Sequence, residues 1–157
     1  MTLHAAHLGE RLALAQRMAA EAGALALKYF NAREQLVVET KADPQDVVSI
    51  ADREVEELIR SRIMESFPDD AVLGEEYGVS SGTSDYTWVV DPIDGTSPFV
   101  NGMPSWCISI AALYGEEIAI GVIYVPCNDE LYSSATGMGA TLNGRTLKLD
   151  GARTIRN

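Results

Sequence analysis

Asp91 and Asp94 lie in the run Trp88-Val89-Val90-Asp91-Pro92-Ile93-Asp94-Gly95-Thr96, where an apolar stretch delivers two carboxylates and then a glycine turn. Hard divalent cations such as magnesium bind oxygen clusters of this kind. Thr87 to Val90 is aromatic and β-branched, which predicts a short buried strand with Asp91 at its end. Pro92 is expected to stop the ladder and Gly95 to turn the backbone, so that the two carboxylates converge. Thr96 or Ser97 suits a helix N-cap, and Pro98 suits the first helical position. The N–H groups of Gly95 and Thr96 would then face an anion such as phosphate. Two solvated aspartates in a proline-glycine turn are the competing reading.

Two further acidic clusters precede this run. Leu73-Gly74-Glu75-Glu76 places paired carboxylates after a short apolar stretch, a pattern that also suits a solvated turn. Lys41 to Asp52 reads as an acidic, proline-broken loop. Within it, Ser49 and Asp52 form a start resembling a capping box for a helix carrying Val55, Leu58, Ile59, Ile63 and Phe67. Asp52 is therefore either a site residue or a carboxylate favoured by the helix dipole.

In their order, the three clusters resemble the inositol monophosphatase-like family of magnesium-dependent, lithium-sensitive sugar phosphatases. Asp46 to Asp52 matches its Asp-x-Val-Thr-x-x-Asp segment, Gly74 to Glu76 its Gly-Glu-Glu, and Asp91 to Thr96 its Asp-Pro-Ile-Asp-Gly-Thr. The resemblance continues through Phe99 to Pro104, Ser109 to Tyr114, Gly137 to Ala140 and Leu142 to Gly144. It implies a layered α/β (α+β) sugar-phosphatase fold and magnesium-dependent hydrolysis of a small phosphorylated polyol, inositol 1-phosphate first, by attack of metal-activated water. Glu75, Asp91 and the Ile93 carbonyl are implied as ligands of one magnesium. Asp91 is shared with a second, which Asp94 also binds, and Glu75 touches a third, weaker ion. The phosphate is implied to contact Glu75, Ile93 and Asp94 and to be held by the Gly95 and Thr96 amides. Asp52 paired with the Thr96 hydroxyl, together with Glu75, supplies the catalytic groups. Histidinol phosphate, fructose 1,6-bisphosphate and nucleotide bisphosphates are alternative substrates of the same class, and a non-catalytic module that binds metal or phosphate is the alternative function.

Three departures from the family pattern stand out. Ser49 replaces threonine and keeps the hydroxyl. Pro98 takes the place of an asparagine and removes an amide near the phosphate. The chain ends at Asn157, whereas family members continue for roughly another hundred residues. Residues 1–157 are accordingly expected to be the amino-terminal lobe, without the Trp-Asp-x-Ala-Ala type segment whose aspartate completes the second metal site. Weak or no activity of this chain alone follows from that expectation. So do an exposed sheet edge and apolar face, and hence a homodimer or other self-association.

Composition sets the outer bounds. With 46% hydrophobic and 22% charged residues, 157 residues suffice for one core. The formal charge of −11 argues against nucleic acid or an anionic membrane as the main partner. Met1 to Glu10 lacks the pattern of a signal peptide and no stretch is long enough to span a bilayer, so a cytoplasmic location is expected. Cys107 and Cys127 have neither zinc-ligand nor disulfide spacing, and His4 and His7 fall in the first helical segment, outside the chemistry.

The elements expected to carry these groups are helices first and strands later. Leu8, Leu12, Ala15, Ala19, Ala22, Ala26 and Tyr29 predict a helix over about residues 4 to 30 with a narrow face of small residues. Leu36 to Glu39 is expected as a short strand, and a second helix over Asp52 to Ser66. Trp106 to Tyr114 and Ile118 to Val125 form a hairpin across Gly115-Glu116, followed by Glu130 to Ser134 and Ala140 to Leu142. Asn143-Gly144 then turns the chain into Arg145 to Leu149. An antiparallel sheet flanked by two helices is the predicted architecture. Ser80 to Ser84 reads as its one flexible insert.

Overall fold

A computed structural model describes residues 3–40 and 44–148 of the chain. Two long helices, α1 (Leu3–Thr40) and α2 (Pro44–Ser66), come first. Eight strands and one short helix follow: β1 (Ala71–Gly74), β2 (Gly78–Ser80), β3 (Tyr86–Asp94), α3 (Thr96–Val100), β4 (Cys107–Tyr114), β5 (Glu117–Val125), β6 (Glu130–Ala135), β7 (Gly139–Leu142) and β8 (Arg145–Thr146). The strands form one sheet in the order β2-β1-β3-β4-β5-β6-β7-β8. Every neighbouring pair is antiparallel except β1 with β3, which run parallel. The expected mixed α/β fold is present. The expectation of a wholly antiparallel sheet is corrected at this pair, which the sequence reading missed because it took β1 for an approach to a turn.

One face of the sheet carries Trp88, Val90, Ile108, Ile110, Ala112, Ile120 and Val122, all buried under α1 and α2. The small-residue face of α1 has the predicted consequence. Ala15, Ala19, Ala22 and Ala26 are fully buried, and a Cβ at Gly23 would lie 2.4 Å from the Tyr124 ring, so the helix approaches the sheet too closely for a side chain there. At the start of the sheet, Arg11 donates two hydrogen bonds of 2.8 Å to the Asp70 carboxylate and lies between the rings of Phe67 and Tyr86, 4.0 and 3.8 Å from their centroids. Ser84 Oγ and Trp88 Nε1 also donate to Asp70, joining α1, the turn before β1 and β3.

Both helices exceed their expected bounds. Leu36 to Glu39 lies inside α1 instead of forming a strand, an override of β-branched propensity by continuation of the helix. α2 starts at Pro44, not at a Ser49 cap, because proline suits the first position of a helix, where no intrahelical donor is required. Residues 41–43 of the expected loop and residue 149 lie outside the described residues, and the strand expected over Arg145 to Leu149 ends at Thr146, with Leu147 and Lys148 outside it. Ser80 to Ser84 is tied down rather than loose, since the Thr83 and Ser84 amides donate to the Asp69 carbonyl at 2.8 and 2.9 Å. Asn143 and Gly144 adopt φ of 48° and 75°, the left-handed pair that a two-residue hairpin demands.

Candidate active site

Asp91 and Asp94 both lie in β3, which Pro92 does not terminate. Three steps separate them on β3, but their partners on β4, Ser109 and Cys107, are two steps apart. The extra residue is a bulge, a place where a strand tolerates proline. In a regular strand, side chains three apart point to opposite faces. The bulge cancels that parity and puts both aspartates on the face turned away from α1 and α2. Ile93 is buried, and a hydrogen bond from its backbone also reaches Asp91.

Glu75 arrives from the neighbouring strand. Gly74 pairs with Val90 in the parallel ladder, and the Glu75 N–H donates to the Val90 carbonyl at 3.3 Å. Glu75 and Asp91 thus leave the carboxyl ends of β1 and β3 side by side, close enough for their carboxyls to share a hydrogen bond. Burial, then the charges of Glu75 and Asp94, raise the pKa of Asp91 well above the carboxylate range. Asp52, buried on α2, is pushed up to about 7 by desolvation and then by the charges of Glu76, Glu75, Asp91 and Glu56. All five sit within one electrostatic neighbourhood.

Thr96 begins α3, and the cap is Gly95, not Thr96 or Ser97. Gly95 has φ of 101°, and its carbonyl accepts the Phe99 N–H at 3.0 Å. Glycine is needed twice over, since a Cβ there would also lie 2.9 Å from the Ser105 carbonyl oxygen. Pro98 occupies the third helical position, where its missing N–H costs nothing because the first donors of a helix have no intrahelical acceptor. Phe99, Trp106 and Phe30 of α1 pack with ring centroids 4.9 to 5.4 Å apart beneath this turn and fix it. An open pocket of about 270 Å³ lined by Asp94, Gly95, Ser105, Trp106, Cys107 and Val125 lies beside it. α2 packs against α3, yet no hydrogen bond among those of the described residues joins Asp52 to the Thr96 hydroxyl.

Two neighbours were not legible as site residues. Cys107 lies opposite Asp94 and its thiol donates to Asp94 Oδ2 at 3.8 Å; burial and then the two aspartates raise it to about 11, so it stays a neutral thiol. Only the strand register places it there. Glu56 is fully buried on α2 and accepts the Glu76 N–H at 2.7 Å. Its signal was its place on the apolar stripe of Val55, Ile59 and Ile63.

The donor set is all oxygen, as hard cations prefer, and Asp91 Oδ1 is buried without a hydrogen-bond partner. Among the described residues no three His, Cys, Asp or Glu side chains lie close enough to enclose a metal. The residues therefore fit such a cation by donor type and by an unsatisfied oxygen, not by a closed shell.

Known proteins resemble this chain in sequence and fold. The chain is 37% identical over 142 residues to the fructose-1,6-bisphosphatase/inositol-1-monophosphatase of Aquifex aeolicus, covering 90% of this chain and 53% of that protein. It is 41% identical over 138 residues to the histidinol-phosphatase of Chlorobaculum parvum, covering 88% and 52%. The solved inositol monophosphatase of Anabaena (Nostoc) sp. PCC 7120 superimposes with a TM-score of 0.78 at 32% identity, over 92% of this chain and 51% of that one. The chain thus spans about half the length of the relatives it matches. Residues 7–157 match the family model directly, and the chain belongs to the inositol monophosphatase family.

Proposed function

We propose that residues 1–157 carry the amino-terminal, metal-binding part of a magnesium-dependent phosphomonoesterase that hydrolyses a small phosphorylated polyol, inositol 1-phosphate first. The observation that carries this reading is Asp91, which interacts with both Glu75 and Asp94 and has one oxygen buried and unpartnered. Glu75, Asp91 and the Ile93 carbonyl would hold one magnesium, and Asp91 with Asp94 a second. When bound, the cation supplies Lewis acidity to phosphoryl oxygens and makes a nearby water more acidic. The Gly95 and Thr96 amides receive the phosphate, with Glu75, Ile93 and Asp94 around it. Asp52, whose pKa is raised to about 7, would take a proton near neutral pH through the Thr96 hydroxyl. The names of two relatives support histidinol phosphate and fructose 1,6-bisphosphate as alternative substrates, and nucleotide bisphosphates belong to the same class.

The half-length match favours a second reading, in which this chain binds metal and phosphate without turnover or works only through self-association. Phosphate release from inositol 1-phosphate by the 157-residue chain separates the two. Weak release at most is expected of this chain alone, and release that needs magnesium, is inhibited by lithium and is lost in Asp94→Asn supports the phosphatase. Magnesium binding without release supports the binding module, and neither binding nor release would defeat both.

A further inference from the structure

A fully buried carboxylate on a helix is costly, because its charge is taken out of water, unless geometry compensates. Glu56 is such a group, at 0% exposure. Its two oxygens accept the Glu76 N–H at 2.7 Å, the Tyr77 N–H at 3.3 Å and Arg60 Nε at 2.7 Å. Arg60, one helical turn further on, also donates to the Gly78 carbonyl at 2.5 Å and to Ser80 Oγ at 2.8 Å. The carboxylate lies against the backbone of β1 itself, for a Cβ at Gly74 would stand 1.9 Å from Glu56 Oε1. No side chain larger than hydrogen fits at residue 74 while Glu56 keeps this place. Every bond that Glu56 accepts from outside α2 comes from the two residues following Glu75.

We propose that Glu56 is a positioning residue, whose carboxylate clamps the backbone on either side of Glu75 and thereby sets where the Glu75 carboxyl stands relative to Asp91. The clamp has three points of contact with the chain: Gly74 beneath the carboxylate, Glu76 and Tyr77 donating to it, and Gly78 and Ser80 held by Arg60. Between them Glu75 has its own N–H tied to Val90, so its backbone is fixed from both neighbouring elements. Partners of this kind, which orient a ligand without touching the metal, typically change metal affinity 10- to 100-fold when removed. The role rests on the metal-site reading above and names a residue that reading does not use.

Glu56→Gln keeps the volume but turns an NH₂ group toward donors only, so it breaks the clamp without opening a cavity. The test is Mn²⁺ affinity of the 157-residue chain, read from the electron paramagnetic resonance signal of free Mn²⁺, at a temperature where circular dichroism shows each variant folded. Glu56→Gln is expected to weaken binding about 10-fold or more, and Arg60→Gln about 3-fold. Asp70→Asn, which loosens the opposite end of β1, is expected to leave the affinity unchanged. A folded Glu56→Gln chain that binds within about twofold of the parent would overturn the positioning role. Equal weakening by Asp70→Asn would overturn it too, by showing that any loss of stability has the same effect. Should Glu56→Gln not fold, Arg60→Gln decides: weaker binding supports the clamp and unchanged binding defeats it. Absence of Mn²⁺ binding by the parent chain would instead defeat the metal-site reading and this role with it.

Discussion

Asp52 and Asp91 each hold a proton far above the pH at which an exposed aspartate releases it. An unfolded chain loses those protons near pH 4. The folded, metal-free chain keeps them until about pH 7 at Asp52, with Asp91 raised as well, so the native state binds more protons across that window. Stability contributed by these groups is therefore present below about pH 4 and is lost as pH rises toward 7. Chelated protein is expected to melt at a lower temperature at pH 7.5 than at pH 5, and magnesium should recover the difference at pH 7.5 with release of protons, as carboxylate ligands require. Melts in chelator and in magnesium at the two pH values check this. A chelated chain more stable at pH 7.5, with no response to magnesium, would contradict it. At this scale the sequence was informative wherever neighbouring residues do the chemistry together: Asp91, Asp94, Gly95 and Glu75 stand in motifs, and β3 and β1 bring them to one place. Cys107 and Glu56 could not be read the same way. One owes its place to cross-strand register and the other to burial against a strand eighteen residues further on.

Helices and strands differ in how openly the sequence declared them. The hairpins from β4 to β8 follow alternation and turn residues, both local; the bounds of β4 to β7 move by only a residue, while β8 stops at Thr146, short of its expected end. The bulge in β3 and the parallel pairing of β1 depend on partners distant in sequence. At the start of the sheet, away from the bulge, the Arg11–Asp70 network joins α1, the turn before β1 and β3. Burial alone would raise the Asp70 pKa, but hydrogen bonds from Arg11, Ser84 and Trp88 and the charge of Arg11 outweigh it and hold the group below its usual range. Its contribution is thus present above about pH 4 and lost as pH falls through the lowered folded value, an acid limb separate from the loss toward pH 7. Arg11→Met removes the positive partner and leaves a buried carboxylate among donors too few to offset its burial. It is expected to cost about 3–5 kcal/mol by denaturant unfolding and to flatten the acid limb. A change under about 1 kcal/mol would mean that Ser84 and Trp88 satisfy Asp70 on their own.

The whole molecule has two unlike faces. Beneath α1 and α2 the sheet is fully buried, whereas the opposite face presents Leu73, Ile118 and Ile123, with Val79 at 71% exposure on the edge strand β2. Gly121 adds no side chain to this face, and a hollow of about 270 Å³ lies over it, walled by Ile123, Tyr132, Ser134, Ala140 and Leu147. An apolar sheet face of this kind lowers its free energy by covering itself, and a net charge of −11 opposes close approach of two copies only weakly at ordinary salt, where charges beyond about 8 Å are screened. Self-association of the chain is the expected result, measured by sedimentation velocity as a sedimentation coefficient that rises with protein concentration. Ile123→Lys places a cation in the middle of that face, where it removes apolar contact area while its stem still covers the sheet. The variant is expected to sediment as a monomer with a melting temperature close to the parent's, since Ile123 is already 45% exposed and contributes little to the monomer's core. A parent chain that remains monomeric at every concentration would show that this face is tolerated in water. A variant that associates as strongly as the parent would move the contact to the open edge of β2, which offers its unpaired backbone groups beside Val79.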